Sequence, residues 1–181
     1  MRIRSTNYLA QAAFYRGDYQ RVVELATDSL AVLPLDWVYK HFVGPATLAS
    51  VYSRGFLVVS LAELGRFAEA AKYEAEAIQL AEPMQHAVTV GVAHFAAGLR
   101  HLLEGDWAQA RSLIERWIAV CRTGNVVIML PPALSSSAWV LAQLGERSDA
   151  LNRLREGEQL IEREEPARLD LSRARSRLPA T

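Results

Sequence analysis

Several residue types are scarce in this chain of 181 residues, and each scarcity excludes a class of protein. The single cysteine, Cys121, excludes an intramolecular disulfide framework. The lysines are Lys40 and Lys72, and neither lies in a glycine-rich loop, which excludes a P-loop for nucleotide phosphates. The formal net charge is zero, so the basic surplus that nucleic-acid binding requires is missing. We therefore expect no nucleic-acid partner and no cofactor.

Long hydrophobic runs are also missing. The longest, "VVIMLPPAL" at 126–134, is far shorter than the roughly 20 residues that span a bilayer. The first residues, "MRIRSTNYLAQ", contain no apolar stretch of the signal-peptide type. We therefore expect a cytoplasmic protein with no membrane contact. Hydrophobic residues make up 51% of the chain, which is enough for a compact core without a disulfide or a metal.

The chain does contain one short sequence motif that occurs four times. It reads "FYRGDYQRV" at 14–22, "AELGRFAEA" at 62–70, "LLEGDWAQA" at 102–110 and "AQLGERSDA" at 142–150. The four glycines are 48, 40 and 40 residues apart. An aromatic residue follows two positions after the first three glycines, whereas Arg147 follows the fourth. Such self-similarity is typical of repeated helical hairpins.

The apolar periodicity around these turns predicts helices and no strands. The predicted helices are 5–16, 19–32, 46–64, 67–82, 86–104, 107–123, 132–144 and 147–164. The prolines lie between the predicted hairpins, where proline ends a helix or occupies its first turn. The segments 34–45 and 123–131 are predicted as the longest loops, and Trp37 in the first is either exposed or packed.

The glycine turn, the aromatic residue two positions later and the small residue five positions later resemble the tetratricopeptide repeat. This resemblance implies an all-α fold, a right-handed α-solenoid of about four hairpins, over residues 1–165. It departs from the family at Arg147 and in its period, because the family repeats about every 34 residues. Residues 166–181 are net positive, and they are expected to form a basic tail or a capping helix, with a nucleic-acid arm as the third option.

Tetratricopeptide arrays usually bind through a concave face formed largely by the first helix of each hairpin. The resemblance therefore implies a groove for a protein or peptide ligand, with uncapped ends that self-associate. The alternative is a small-molecule inducer sensor of a transcription regulator. The inward positions expected from the glycine register are Asn7, Gln11, Tyr52, Val59, Phe95, Leu99 and Trp139.

A closer similarity covers residues 8 to 162, through 42–66 and the phrase "HLLEGDWAQARSLIERWIAVCRTGN". It is to the C-terminal repeat region of bacterial multidomain signalling proteins, in which a class III nucleotide cyclase and a STAND-type ATPase precede the repeats. The segment from Pro45 to Arg54 is the most distinctive part. The similarity implies a sensor or scaffold arm, either excised or freestanding, and the start inside a first helix favours an excised piece.

Reactive residue types do not form a catalytic pattern. His94 and His101 share one helical face but lack further ligands at metal spacing, so packed histidines are expected and not a metal site. The serines at 135–137 have neither a glycine elbow nor a base. Cys121 is either a thiol activated by nearby arginines or, as we expect, a buried apolar residue. We therefore predict a protein that is not an enzyme.

Overall fold

The structure is a computed structural model that describes residues 2–34, 37–39, 42–43 and 47–175. Side chains are described within these ranges except at 2–4, 42–43 and 164–175. The described part contains eight α-helices, two short 3-10 helices at Glu82–Met84 and Val127–Met129, and one pair of two-residue strands. The helices are α1 (Arg2–Tyr15), α2 (Tyr19–Ala31), α3 (Ala49–Glu63), α4 (Phe67–Ala81), α5 (Ala87–Glu104), α6 (Trp107–Thr123), α7 (Leu130–Gln143) and α8 (Arg147–Arg175). The predicted all-α class is confirmed.

The four glycine turns share one backbone geometry. Gly17, Gly65, Gly105 and Gly145 all have a positive φ, between 74° and 85°, which a residue with a Cβ adopts only at a cost. In each turn the residue after the glycine donates its N–H to a carbonyl five residues earlier, as in Asp106 N to His101 O at 3.0 Å. This hydrogen bond is the Schellman closure of a helix C-terminus. The next helix then begins at once, so each turn joins two antiparallel helices.

Side-chain caps fix the start of two of the second helices. The Asp18 carboxylate accepts the N–H of Arg21 at 3.3 Å, and that of Asp106 accepts the N–H of Gln109 at 3.2 Å. Each cap satisfies one of the backbone donors that a helix N-terminus leaves unpaired, and such a cap contributes about 1 kcal/mol. The glycine and the aspartate together therefore define where one helix ends and the next begins.

Each hairpin packs against the next one in the chain. The first helices contact one another in order, α1 with α3, α3 with α5 and α5 with α7. Each also contacts its own second helix, and α3, α5 and α7 contact the second helix of the preceding hairpin. The helix α3 is consequently buried from Ala49 to Ala62 except for a half-buried Arg54. The helix α5 is enclosed in the same way, which explains why the sequence of 87–99 is apolar nearly all round.

The largest apolar cluster joins α6 to α7. Trp117, Ile114 and Ile118 from α6 are almost completely buried against Leu134 and Val140 from α7. Burying one such side chain contributes about 1.5–3 kcal/mol relative to leaving it in water. The third and fourth hairpins are therefore held together mainly by apolar contact.

Two predictions about the chain path are wrong. Within the predicted loop 34–45 and just after it, the strands β1 (Phe42–Val43) and β2 (Thr47–Leu48) pair antiparallel, whereas no strand was expected. Leu48 is buried and its N–H reaches Thr89 Oγ1 at 3.3 Å, so α5 supports this pair. Two-residue strands are too short to produce an alternating pattern in a sequence.

The helix α8 also differs from its prediction, because it continues to Arg175 through Pro166. Proline usually ends a helix because it lacks an N–H and crowds a preceding carbonyl, yet it breaks only part of the local hydrogen bonding. Residues 166–175 are thus the continuation of α8, and 176–181 lie outside the described residues.

The other predicted loop, 123–131, contains a 3-10 helix, and α7 begins at Leu130 with two prolines in its first turn. Trp37 is 37% exposed.

A matched pair of glycines tests the close approach of α5 to α6. A Cβ added at Gly98 would lie 2.7 Å from Ile114 Cγ1, whereas one at Gly157 would meet only ordinary contacts at 3.7 Å or more. Both glycines lie inside helices, so both alanine variants gain helix propensity, about 1 kcal/mol. Overpacking costs about 1–3 kcal/mol. We expect urea unfolding to show a lower free energy of unfolding for Gly98→Ala and a higher one for Gly157→Ala. Equal gains in the two variants would contradict the close helix contact.

Candidate protein-interaction surface

The last hairpin leaves an apolar groove open to solvent between α7 and α8. Trp139 is 50% exposed, Leu151 53% and Leu154 43%. The groove has a volume of about 440 Å³, and Ser135, Ala138, Ala142, Arg147 and Ala150 complete its lining. Large apolar side chains that are exposed together are uncommon on a monomer and indicate an interaction surface. We call this site the α7–α8 groove.

The third hairpin has a filled counterpart of this groove at two positions. Counted from the turn glycine, Trp139 corresponds to Leu99 and Leu154 corresponds to Ile114. Ile114 is fully buried in the cluster that includes α7, and Leu99 is half-buried against that cluster. In the third hairpin, α7 is therefore the helix that covers these positions. The α7–α8 groove carries residues of the same apolar kind, but none of the described helices covers it.

The structure places the seven sequence-predicted site residues at different depths. Asn7, Tyr52 and Val59 are buried, with 2%, 6% and 1% exposure. Gln11, Phe95 and Leu99 are half-buried. Of the seven, Trp139 alone is exposed, at 50%. The three buried residues are therefore occupied by packing and cannot contact a ligand in this conformation.

The buried members of this set have identifiable structural partners. Asn7 Oδ1 accepts hydrogen bonds from Ser29 Oγ at 3.0 Å and from Ser53 Oγ at 2.9 Å. The ring of Tyr52 lies 4.9 Å from that of Phe56, and burial raises the pKa of its hydroxyl above the ordinary value. The Asn7 hydrogen bonds join α1, α2 and α3, and Tyr52 belongs to an apolar cluster that includes Ala10 of α1 and Val22 of α2. Both residues therefore support the first two hairpins.

A shared repeat position explains the different depths. Gln11, Val59, Leu99 and Trp139 each lie six residues before a turn glycine. Val59 and Leu99 belong to clusters that include residues of the following hairpin. Trp139 has no described hairpin after it, so this position is exposed there. Leu151 and Leu154 were not predicted as site residues. Both are apolar at solvent-facing positions of α8, and this pattern is the signal that could have identified them.

Charged side chains between α4 and α5 form an ion-pair cluster that sequence reasoning also missed. Arg100 is only 7% exposed, its Nε donates to Glu74, and its Nη1 donates to Glu104 at 2.5 Å. His101 lies 3.5 Å from Glu74 and 3.3 Å from Asp106. A buried guanidinium requires such compensation because removing it from water is costly. The cluster therefore links α5 to α4, and the charge of Arg100 is compensated by carboxylates of the protein itself.

The two histidines on α5 do not combine into a metal site. His94 Nε2 lies 2.7 Å from Glu82 Oε1, whereas His101 approaches Glu74 and Asp106 instead. The hydrogen bond from His94, together with Arg116, holds the pKa of Glu82 below its ordinary value. Within the described ranges no group of three His, Cys, Asp or Glu residues is arranged to hold a metal ion.

The serines at 135–137 form hydrogen bonds within the fold, and Cys121 lies in the core. Ser135 and Ser136 donate to the carbonyls of Pro131 and Pro132, and Ser137 donates to Glu115 Oε1 at 2.9 Å. Cys121 is fully buried, and burial raises the pKa of its thiol to about 11. The expected buried cysteine is confirmed, and the alternative of an activated thiol is wrong because burial disfavours the thiolate.

Two comparisons with known proteins, one with family models and one with curated proteins, found no match. The chain matches no protein-family model, and no curated protein is significantly similar to it. Among the described helices, none is both long and apolar enough to cross a membrane.

Thiol labelling tests the burial of Cys121. With a pKa of about 11, the thiolate fraction at pH 8 falls about two orders of magnitude below that of an ordinary cysteine. We expect a disulfide reagent to label the native protein at least about 100-fold more slowly than the urea-unfolded protein. A Cys121→Ser variant supplies the blank. Rapid labelling of the native protein would contradict the buried thiol.

Proposed function

We propose that the protein is a non-catalytic protein–protein interaction or scaffold module. In this proposal, its hairpins form a right-handed α-solenoid of about four tetratricopeptide-like units. Two observations support such an array: the four turns have one geometry, and the first helices contact one another in chain order. Arrays of this kind expose extended surfaces that bind partners. The proposal also includes a role as a sensor or adaptor arm of a signalling protein, which rests on the sequence resemblance.

The α7–α8 groove is the proposed binding site, and the observation that carries it is the filled groove of the third hairpin. There, a helix with small and aliphatic residues covers the equivalent positions, with Ala133, Leu134 and Val140 fully buried in the contact. The same chemistry suits an amphipathic helix of a partner protein, which would present small and aliphatic residues to Trp139 and Leu154. This is the helix-in-groove mode of recognition.

The predicted concave-face residues contribute to this proposal in part. Trp139 lines the groove, whereas Asn7, Tyr52 and Val59 organise the hairpins that precede it. The alternative function, a small-molecule inducer sensor, would be best served by an enclosed apolar cavity. The α7–α8 groove is open to solvent, which favours a protein segment as its ligand.

Substitution in the groove provides the test. We expect Leu154→Glu to weaken partner binding by about tenfold to a hundredfold, because a carboxylate would replace an apolar contact and lose its hydration at the interface. The measurement uses immobilised wild-type and variant protein in a lysate of the source organism, followed by titration of the purified partner. Hydrogen exchange then locates the protected segments. Protection is expected in α7 and α8.

Val32→Glu is the matched control, because Val32 is 61% exposed and lies at the end of α2, in the first hairpin. A partner that binds the wild type and Val32→Glu but not Leu154→Glu supports the groove. Equal binding by both variants, with thermal unfolding unchanged, would rule the groove out. Binding of a small molecule with exchange protection in α3 and α5 would support the sensor alternative instead.

A further inference from the structure

The exposed side of α8 carries a regular stripe. Five exposed residues on this side are separated by four, three, four and three positions. They are Arg147, Leu151, Leu154, Glu158 and Ile161. This alternation is the spacing of a coiled-coil seam, in which two helices pack side by side. Leu151 and Leu154 belong both to the stripe and to the α7–α8 groove. We call these five residues the α8 stripe.

The order of charges along the α8 stripe selects a direction of pairing. Arg147 lies on one side of the two leucines and Glu158 lies on the other. If a second α8 runs antiparallel, Arg147 comes opposite Glu158 of the other copy, twice by symmetry, and Leu151 comes opposite Leu154. If the second α8 runs parallel, Arg147 faces Arg147 and Glu158 faces Glu158. Opposed like charges disfavour the parallel arrangement.

The other end of the chain complements this surface less well. The helix α1 has no described hairpin before it, and its Thr6 and Ala12 correspond, counted from the turn glycine, to Leu134 and Val140 of α7. Leu134 and Val140 are fully buried in the cluster that includes α6, whereas their counterparts in α1 are smaller or more polar. In head-to-tail stacking, α1 of one copy would lie on α8 of the next. The leucines of α8 would then be covered by less apolar surface than α7 supplies to α6, even though α1 has one exposed leucine, Leu9. The two-fold arrangement pairs leucine with leucine, and such closed dimers are the commonest oligomers.

We propose that the α7–α8 groove is occupied by a second copy of this chain, paired through antiparallel α8 stripes about a two-fold axis. The Trp139 side chain, which adjoins Leu151 and Leu154 in the groove, then packs beside the α8 of the other copy. This inference rests on the proposed function, because it names the partner of the same groove. It differs in requiring no other protein, so the purified chain alone suffices to test it.

Sedimentation equilibrium of the purified full chain measures this pairing directly. The wild type is expected to be a dimer that dissociates on dilution, and Leu154→Glu is expected to be a folded monomer. Arg147→Glu and Glu158→Arg, made singly, are each expected to weaken the dimer by about tenfold, because each creates two like-charge contacts. The double variant Arg147→Glu with Glu158→Arg is expected to recover most of the affinity, because the exchanged charges again face opposite charges.

Arg163→Glu is the matched control, an exposed charge reversal on the opposite side of α8, and it should leave the dimer unchanged. A wild-type monomer at every concentration would overturn the pairing, and so would oligomers that lengthen with concentration. A double variant as weak as the singles would overturn the antiparallel register. Binding of a different protein to a monomeric wild type through the groove would overturn this inference while supporting the proposed function.

Discussion

The left-handed glycine between the two helices of each hairpin is the constraint from which the other features follow. A positive φ at this position ends one helix after a defined carbonyl and allows the next to start two residues later. Because the turn is the same four times, a given distance from the glycine corresponds to the same place in every hairpin. The depth of Val59, Leu99 and Trp139 can then be compared directly, and the difference among them reflects the neighbours of each hairpin rather than its own sequence.

Most of the helical framework was predictable, because it depends on local signals. The glycine turns and the apolar periodicity around them placed most of the helices within a few residues. Their agreement at several levels is typical of a foldable sequence. The strand pair at 42–43 and 47–48 was not predictable, because it depends on support from Thr89 in another hairpin. The passage of α8 through Pro166 was missed for a different reason, since the proline rule describes a tendency that a helix can override.

The candidate site was less predictable than the fold. Gln11, Val59, Leu99 and Trp139, all predicted as inward positions, occupy one repeat position in the sequence, but the sequence register could not show how closely successive first helices approach. Gly55 illustrates the reason, because a Cβ there would lie 2.9 Å from Val92 Cγ1 of the next first helix. At such an approach the positions expected to line a groove become part of the interior. Exposure at this position thus depends on whether another of the described hairpins packs against it.

The hydrogen bonds of Asn7 fix how α1, α2 and α3 are aligned, which apolar packing alone does not do. Its amide oxygen is shared by hydroxyl groups from α2 and α3, while its amide nitrogen is buried without a partner. An unpaired buried donor lowers stability, so replacing Asn7 together with Ser29 and Ser53 by apolar residues of similar size would give a contact of equal or greater stability. The amide nevertheless accepts both hydroxyls only when three helices meet in one alignment, and a slide of either neighbour by one turn would break a bond. Asn7 therefore exchanges some stability for a unique arrangement of the first two hairpins, much as a single buried asparagine sets the alignment of paired helices elsewhere.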